Sequence, residues 1–188
     1  MHGIITIPNA VSLVRLLLIP VFVWLVLIEQ TAWAGVLLGF IGATDWIDGY
    51  LARRLDQVSE VGKMLDPVAD RLAVAVAVVL GLIVGVLPTW FGWAIIVREV
   101  VISIGAAYGW MNGVRRLDVR WLGKTATLLL YFAVTGFYLA DGLDLPRLWW
   151  GSVAIGVPGL ASYYVVAFAY LGDMRTAIAE TEATKPDQ

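Results

Sequence analysis

Six long apolar runs separated by short polar connectors make up most of this 188-residue chain. Their ends are expected near residues 11–28, 31–53, 62–86, 90–111, 121–140 and 148–171. Each is close to the ~20 residues a helix needs to cross a bilayer core of about 30 Å. Such a chain has no good fold in water. Hydrophobic residues are 60% of it and charged ones 15%, whereas a soluble domain is about a quarter charged. A soluble fold of this length leaves much of its surface exposed and cannot hide so much apolar area. Disorder requires the opposite composition. The expected fold class is all-α: a polytopic membrane protein with six transmembrane helices, one domain over 1–173, and a polar, disordered tail over 174–188.

Basic residues set the orientation, because they are retained on the cytoplasmic side. Arg53, Arg54, Lys63 and Arg71 surround one connector, and Arg115, Arg116, Arg120 and Lys124 another. Arg175 and Lys185 lie in the tail, and the opposite side carries only Arg147. Both termini are therefore expected in the cytoplasm. The run 16–28 followed by Ala32-Trp33-Ala34 imitates a cleavable leader, but Pro8-Asn9 and the single Arg15 ahead of it argue for retention. A net charge of −2 gives no case for nucleic acid as a partner. There is no cysteine, and the one histidine is His2, so thiol, disulfide and zinc chemistry have no ligands here.

Acids inside membrane segments are costly and mark function by default. Asp45 and Asp48 lie late in the second run, and Asp66 and Asp70 early in the third, beside the same connector. At about 100° per residue, Asp45 and Asp48 are about 60° apart, with Gly49 and Ala52 on their face. Asp66 and Asp70 are one turn apart, with Gly62 one turn earlier on the same stripe. If the two faces meet, four carboxylates converge, and like charges so close raise one another's pKa. One or two divalent cations would neutralise them, and all-oxygen ligands favour Mg²⁺, Mn²⁺ or Ca²⁺. Small residues give a bulky ligand access to the backbone, and Arg53 can bind phosphate oxygens. A pyrophosphate substrate fits that set. The plainer alternative, in which single aspartates cap helices or pair with Arg53, Arg54 or Arg71, does not account for two facing stripes.

The run Asp45-Trp-Ile-Asp48-Gly49-Tyr-Leu-Ala52-Arg53, followed by Gly62, Asp66 and Asp70, resembles the signature D-x2-D-G-x2-A-R-x8-G-x3-D-x3-D of the CDP-alcohol phosphatidyltransferases. All fixed positions match without a gap. Ile7-Pro8-Asn9, Arg15 and Gly123-Lys124-Thr125 extend the resemblance. It implies a membrane enzyme that joins CDP-diacylglycerol to an alcohol acceptor and releases CMP. It also implies that Asp45, Asp48, Asp66 and Asp70 hold the metal, Mg²⁺ or Mn²⁺, as two ions, and that Asp70 is the catalytic base. Gly49, Ala52, Arg53 and Gly62 would bind the CDP-linked substrate. A homodimer in the cell membrane, surrounded by membrane lipids and with its site facing the cytoplasm, is further implied.

The acceptor is less strongly marked. Arg98-Glu99-Val-Val-Ile-Ser103 resembles the Arg-Glu-Ile-Ile-Ile-Ser stretch of phosphatidylglycerophosphate synthases, which use glycerol 3-phosphate. Arg98, Lys124, Arg115 and Arg116 are candidates for binding that phosphate. Arg98 can instead pair with an acid within the bundle. The small residues Gly105-Ala106-Ala107 resemble the cardiolipin synthases of the same superfamily, whose acceptor is phosphatidylglycerol and needs room for a second lipid. Inositol-phosphate transfer is a third option. Outside this class, intramembrane acids also serve cation-coupled transporters, which would not need Gly49, Ala52, Arg53 and Gly62 at these spacings.

Overall fold

The computed structural model describes residues 7–55, 60–112 and 121–183, with side chains over 13–43, 71–112, 123 and 125–176. Over these residues the chain forms α1 (Ile7–Leu27), α2 (Thr31–Leu55), α3 (Glu60–Ile83), α4 (Thr89–Met111), α5 (Trp121–Gly142) and α6 (Pro146–Ala183). Each expected run coincides with one helix. The third ends earlier than expected, at Ile83, because Gly85 takes φ 81° and a left-handed residue stops a helix. The sixth runs further than expected. Residues 174–183 were assigned to a disordered tail, but they continue α6. Two physical reasons account for this. Extending an existing helix is far easier than nucleating one, and Ala- and Glu-rich sequence favours it. In addition, Met174 is buried against Gly105 and Gly109 of α4.

Three connectors, 28–30, 84–88 and 143–145, gather at one end of the bundle. All three contain a left-handed residue, and two share the same hydrogen-bond pattern. After α1, Glu29 takes φ 62°, with Gln30 N–H bonded to Leu25 O at 2.9 Å and Glu29 N–H to Val26 O at 3.0 Å. After α5, Asp144 takes φ 50°, with Leu145 N–H bonded to Ala140 O at 2.9 Å and Asp144 N–H to Asp141 O at 3.2 Å. Both patterns satisfy the last carbonyls of the helix and reverse the chain within a few residues.

Packing follows from these turns. α1 lies against α2 and α3, α2 against α5, α5 along α6, and α4 against α6 and α3. The core holds edge-on aromatic pairs, Phe22–Tyr138 at 5.2 Å and Phe91–Phe137 at 5.4 Å between ring centres. Tyrosines also staple helices together by donating to main-chain carbonyls. Tyr138 OH bonds Ala77 O at 2.8 Å, Tyr164 OH bonds Ala94 O at 2.7 Å, and Tyr131 OH bonds Leu38 O. A carbonyl has a second lone pair for such a bond, and interhelical bonds of this kind hold bundles together in lipid.

The outer surface is apolar. Leu17, Phe40, Val97, Ile104 and Phe168 all stand exposed on helices, which a water-soluble monomer avoids over a large contiguous area. α4 and the Pro146–Thr176 stretch of α6 are each long and apolar enough to cross a bilayer. Near the three connectors, exposed Trp24, Trp33, Trp90, Trp93 and Trp150 encircle the bundle, in the manner of an aromatic belt at a membrane–water interface. The protein is thus all-helical over its described residues and suited to a membrane.

Candidate active site

α1 brings α2 and α3 together. Ile19 of α1, Ile41 of α2 and Ala73 of α3 form one small buried cluster. One turn further from the connector end, helical register places Arg15 on α1, Asp45 on α2 and Asp70 on α3. Another turn reaches Asp48 and Gly49 on α2 and Asp66 on α3. Ala52 and Arg53 follow on α2, and Gly62 on α3. The backbone therefore carries both acid pairs on neighbouring helices, beyond a common apolar layer. The side chains of residues 44–70 lie outside the described residues, and with them the expected convergence of the four carboxylates. Lys124 sits in the first turn of α5 with its side chain also outside, and Arg115 and Arg116 fall in 113–120, outside altogether.

Arg15 is not among the candidate site residues named from the sequence. It is 1% exposed, the largest of the fully buried side chains. A lone arginine within an apolar run is a signal in its own right, since a buried cation is costly unless matched. Its position one turn from the Ile19 layer puts a positive charge at the level where α2 and α3 carry Asp45 and Asp70.

The second polar group joins α4 and α6. Arg98 Nη1 donates to Glu99 Oε1 at 2.8 Å, and the side chains are 11% and 35% exposed. Helix neighbours at i and i+1 do not normally face each other, but the long arginine side chain spans the gap. Its guanidinium carbon lies 3.6 Å from the centre of the Tyr163 ring, a stacked cation–π contact. The Tyr163 hydroxyl in turn donates to Glu99 Oε1. The three side chains thus form a closed set across the α4–α6 contact. The Arg98 Nε is buried and has no hydrogen-bond partner among the described residues. α4 also packs against α3, so the set stands on a neighbour of one acid-bearing helix. Both sequence options for Arg98 therefore have a footing: it is paired within the bundle, and one donor edge remains unspent. Tyr163 gave no sequence signal, being one aromatic among many in an apolar run.

The small residues after Ser103 are partly accounted for by packing. A Cβ on Gly105 would lie 2.9 Å from Leu171 Cδ2, and one on Gly109 would lie 3.0 Å from Met174 Sδ. Glycine at these positions lets α6 approach α4. At Gly105 the missing side chain's place is taken by Leu171 and Met174 of α6, while Ala107 is exposed.

Comparison with known proteins bears on these residues together. The model of a family described as CDP-alcohol phosphatidyltransferase matches residues 5–171. The chain is 40% identical over 128 residues to a Mycobacterium tuberculosis protein with a provisional cardiolipin synthase name, covering 67% of this chain and 61% of that protein. It is 35% identical over 150 residues to the cardiolipin synthase (CMP-forming) of Streptomyces coelicolor, covering 74% and 67%. It is 33% identical over 196 residues to the CDP-diacylglycerol–glycerol-3-phosphate 3-phosphatidyltransferase of Escherichia coli, covering 97% and 98%. The similarity thus spans about 61% of the length of the mycobacterial relative and nearly all of the Escherichia coli one.

Proposed function

The chain belongs to the CDP-alcohol phosphatidyltransferase family, and from that premise we propose that it transfers a phosphatidyl group from CDP-diacylglycerol to glycerol 3-phosphate, releasing CMP and forming phosphatidylglycerophosphate. The observation that carries the choice of acceptor is the end-to-end match with the Escherichia coli 3-phosphatidyltransferase, 97% of one chain against 98% of the other. A largely buried arginine, whose Nε has no hydrogen-bond partner among the described residues and whose helix packs against acid-bearing α3, supports it, since an acceptor bearing a phosphate needs a cation.

The donor set suits a divalent ion. Asp45, Asp48, Asp66 and Asp70 offer carboxylate oxygens alone, which hard ions such as Mg²⁺ or Mn²⁺ prefer. One or two ions held there would neutralise the pyrophosphate and the departing CMP. The chain's own groups do the rest. Asp70 takes the proton from the acceptor hydroxyl. The hydroxyl oxygen then bonds to the phosphorus on the diacylglycerol side of the pyrophosphate. The bond from that phosphorus to the CMP oxygen breaks, and CMP leaves with the electron pair. Gly49, Ala52 and Gly62 leave room for the cytidine, and Arg53 meets phosphate.

Six membrane crossings with both termini in the cytoplasm complete the reading, with the site at the cytoplasmic face. The basic residues collect around the connectors opposite the tryptophan ring, where Arg147 is the one basic side chain. A homodimer is part of the same reading, and cross-linking in membranes tests it.

A second acceptor has its own support. The mycobacterial and Streptomyces relatives carry cardiolipin synthase names, which points to phosphatidylglycerol. An acceptor panel with purified protein separates the two. Glycerol 3-phosphate, phosphatidylglycerol, inositol phosphate and serine are each offered with CDP-diacylglycerol and Mg²⁺ or Mn²⁺, and the lipid products are weighed. Phosphatidylglycerophosphate is the expected product. Cardiolipin in its place overturns the preferred acceptor, and no CMP release with any acceptor overturns the reaction.

A further inference from the structure

We infer that Tyr163, acting with Glu99, is a positioning residue that locks the Arg98 guanidinium so that its remaining donor edge meets the phosphate of an anionic acceptor. The inference rests on the acceptor reading above and adds to it the residues that make Arg98 fit for the task.

The argument starts from what an arginine in an apolar helix does when left alone. Its side chain has several rotatable bonds, and ordering it costs up to about 2 kcal/mol of rotamer entropy. In a membrane segment it also swings toward the nearest water. Arg98 does neither. The Tyr163 ring covers one face of the guanidinium at 3.6 Å. Glu99 takes one Nη1 proton at 2.8 Å, and the Tyr163 hydroxyl holds Glu99 in turn. Tyr163 is itself 7% exposed, and its neighbour Tyr164 ties α6 to the Ala94 carbonyl of α4. The clamp is therefore anchored on two helices.

A purely structural pair would be expected to use up the guanidinium's buried donors. Here the buried Nε has no partner among the described residues, and an unmet buried donor costs about 1–3 kcal/mol. A phosphate bound at that edge would remove the cost. α4, which carries Arg98, packs directly against α3, which carries Asp70, so the acceptor's phosphate and its hydroxyl can be held at once.

The test is steady-state kinetics on two variants. Tyr163→Phe keeps the ring under Arg98 and loses only the bond to Glu99. Tyr163→Leu loses both. With saturating CDP-diacylglycerol, the expected result is a glycerol 3-phosphate KM raised about 5-fold in the first and about 50-fold in the second, in line with one hydrogen bond and then a stacked contact as well. The CDP-diacylglycerol KM stays within twofold of the parent in both, and kcat of Tyr163→Phe is unchanged. An unchanged acceptor KM in both variants overturns the inference. So does an equal rise in both KM values, which is what a loosened α4–α6 contact would give. If Tyr163→Leu does not fold, Tyr163→Phe decides alone. Wild-type protein in the same assay separates the two levels. No turnover of glycerol 3-phosphate by the parent overturns the acceptor reading and this inference with it, whereas normal parent turnover with unmoved variants overturns the positioning role only.

Discussion

At the connector end, α5 is held to its neighbours by packed surfaces and a few hydrogen bonds: Phe22 of α1 lies against Tyr138, Gly142 against Ala32 of α2, Tyr138 OH donates to Ala77 O of α3, and Thr31 Oγ1 donates to Asp141 at 2.8 Å. A few turns away, in the same bundle, Arg15 is buried and Arg98 largely so, and Glu99 and Tyr163 are committed to holding Arg98. The first region gains from every contact it makes. The second buries charge, which costs several kcal/mol in a membrane segment unless it is matched. A bundle that needed only to be stable would fill both regions with leucine, because replacing a buried ion pair by packed apolar groups is often neutral or stabilising. On the proposed function, the charged region is the one that does chemistry and the connector end is the brace that lets it. The contrast breaks if substitutions in the charged region cost stability alone, or if substitutions in the brace change the kinetics of folded protein.

The largest effect is expected at Asp70. Asp70→Asn keeps the size and removes both the base and a ligand charge, and a general base alone accounts for about 10²–10⁴-fold in rate. Turnover should fall by about 10³-fold or more while CDP-diacylglycerol still binds, as measured by CMP release and by equilibrium binding. Near-normal turnover would remove the base assignment. Next comes Arg15→Met, which swaps a fully buried cation for an apolar side chain of similar length. Turnover should drop about 10²-fold, the scale of losing a fixed charge or a well-set geometry at a reacting centre. Thermal inactivation in detergent reports the fold separately. A variant that unfolds early but turns over normally at low temperature would make Arg15 part of the brace.

These two residues also show how far the sequence could be read. The proposed role of Asp70 comes from the sequence alone, because chemistry demands several acids at fixed spacing and spacing survives in a one-dimensional string; its side chain lies outside the described residues. The six helices were legible because bilayer thickness sets their length. Arg15 was in plain view, but its burial was not, since an arginine so near the start of a run can equally reach water. Tyr163 was hidden altogether. Its meaning lies in a contact with Arg98, 65 positions earlier in the chain, and one aromatic in an apolar helix has no periodicity to betray it. The α6 extension was misread because composition reports the solvent a segment prefers. Helix continuity and the seat of Met174 on Gly105 and Gly109 depend on its neighbours.

In the brace, Gly142→Ala should act on stability. A Cβ there would run into the Ala32 main-chain nitrogen, and backbone cannot rotate away as a side chain can. Overpacking of this kind costs about 1–3 kcal/mol. The expected outcome is a thermal midpoint several degrees lower, with kcat and both KM values per folded molecule unchanged. Altered kinetics in the folded fraction would mean that the brace and the charged region are coupled, and the contrast between them would have to be given up.

The smallest effect belongs to Thr31→Val, and it tests the brace most finely. Valine copies the shape of threonine but cannot donate to Asp141, so the change isolates one hydrogen bond joining the start of α2 to the end of α5. A bond to a carboxylate in a part-buried setting contributes about 1–2 kcal/mol net, and the carboxylate left behind is exposed enough to recover water. The thermal midpoint should therefore fall by only a few degrees, less than for Gly142→Ala, with no change in CMP release at 25 °C. A drop as large as that of Gly142→Ala would show that α2 and α5 depend on this polar contact more than on their packed surfaces. The connector end would then share the charged region's reliance on paired polar groups.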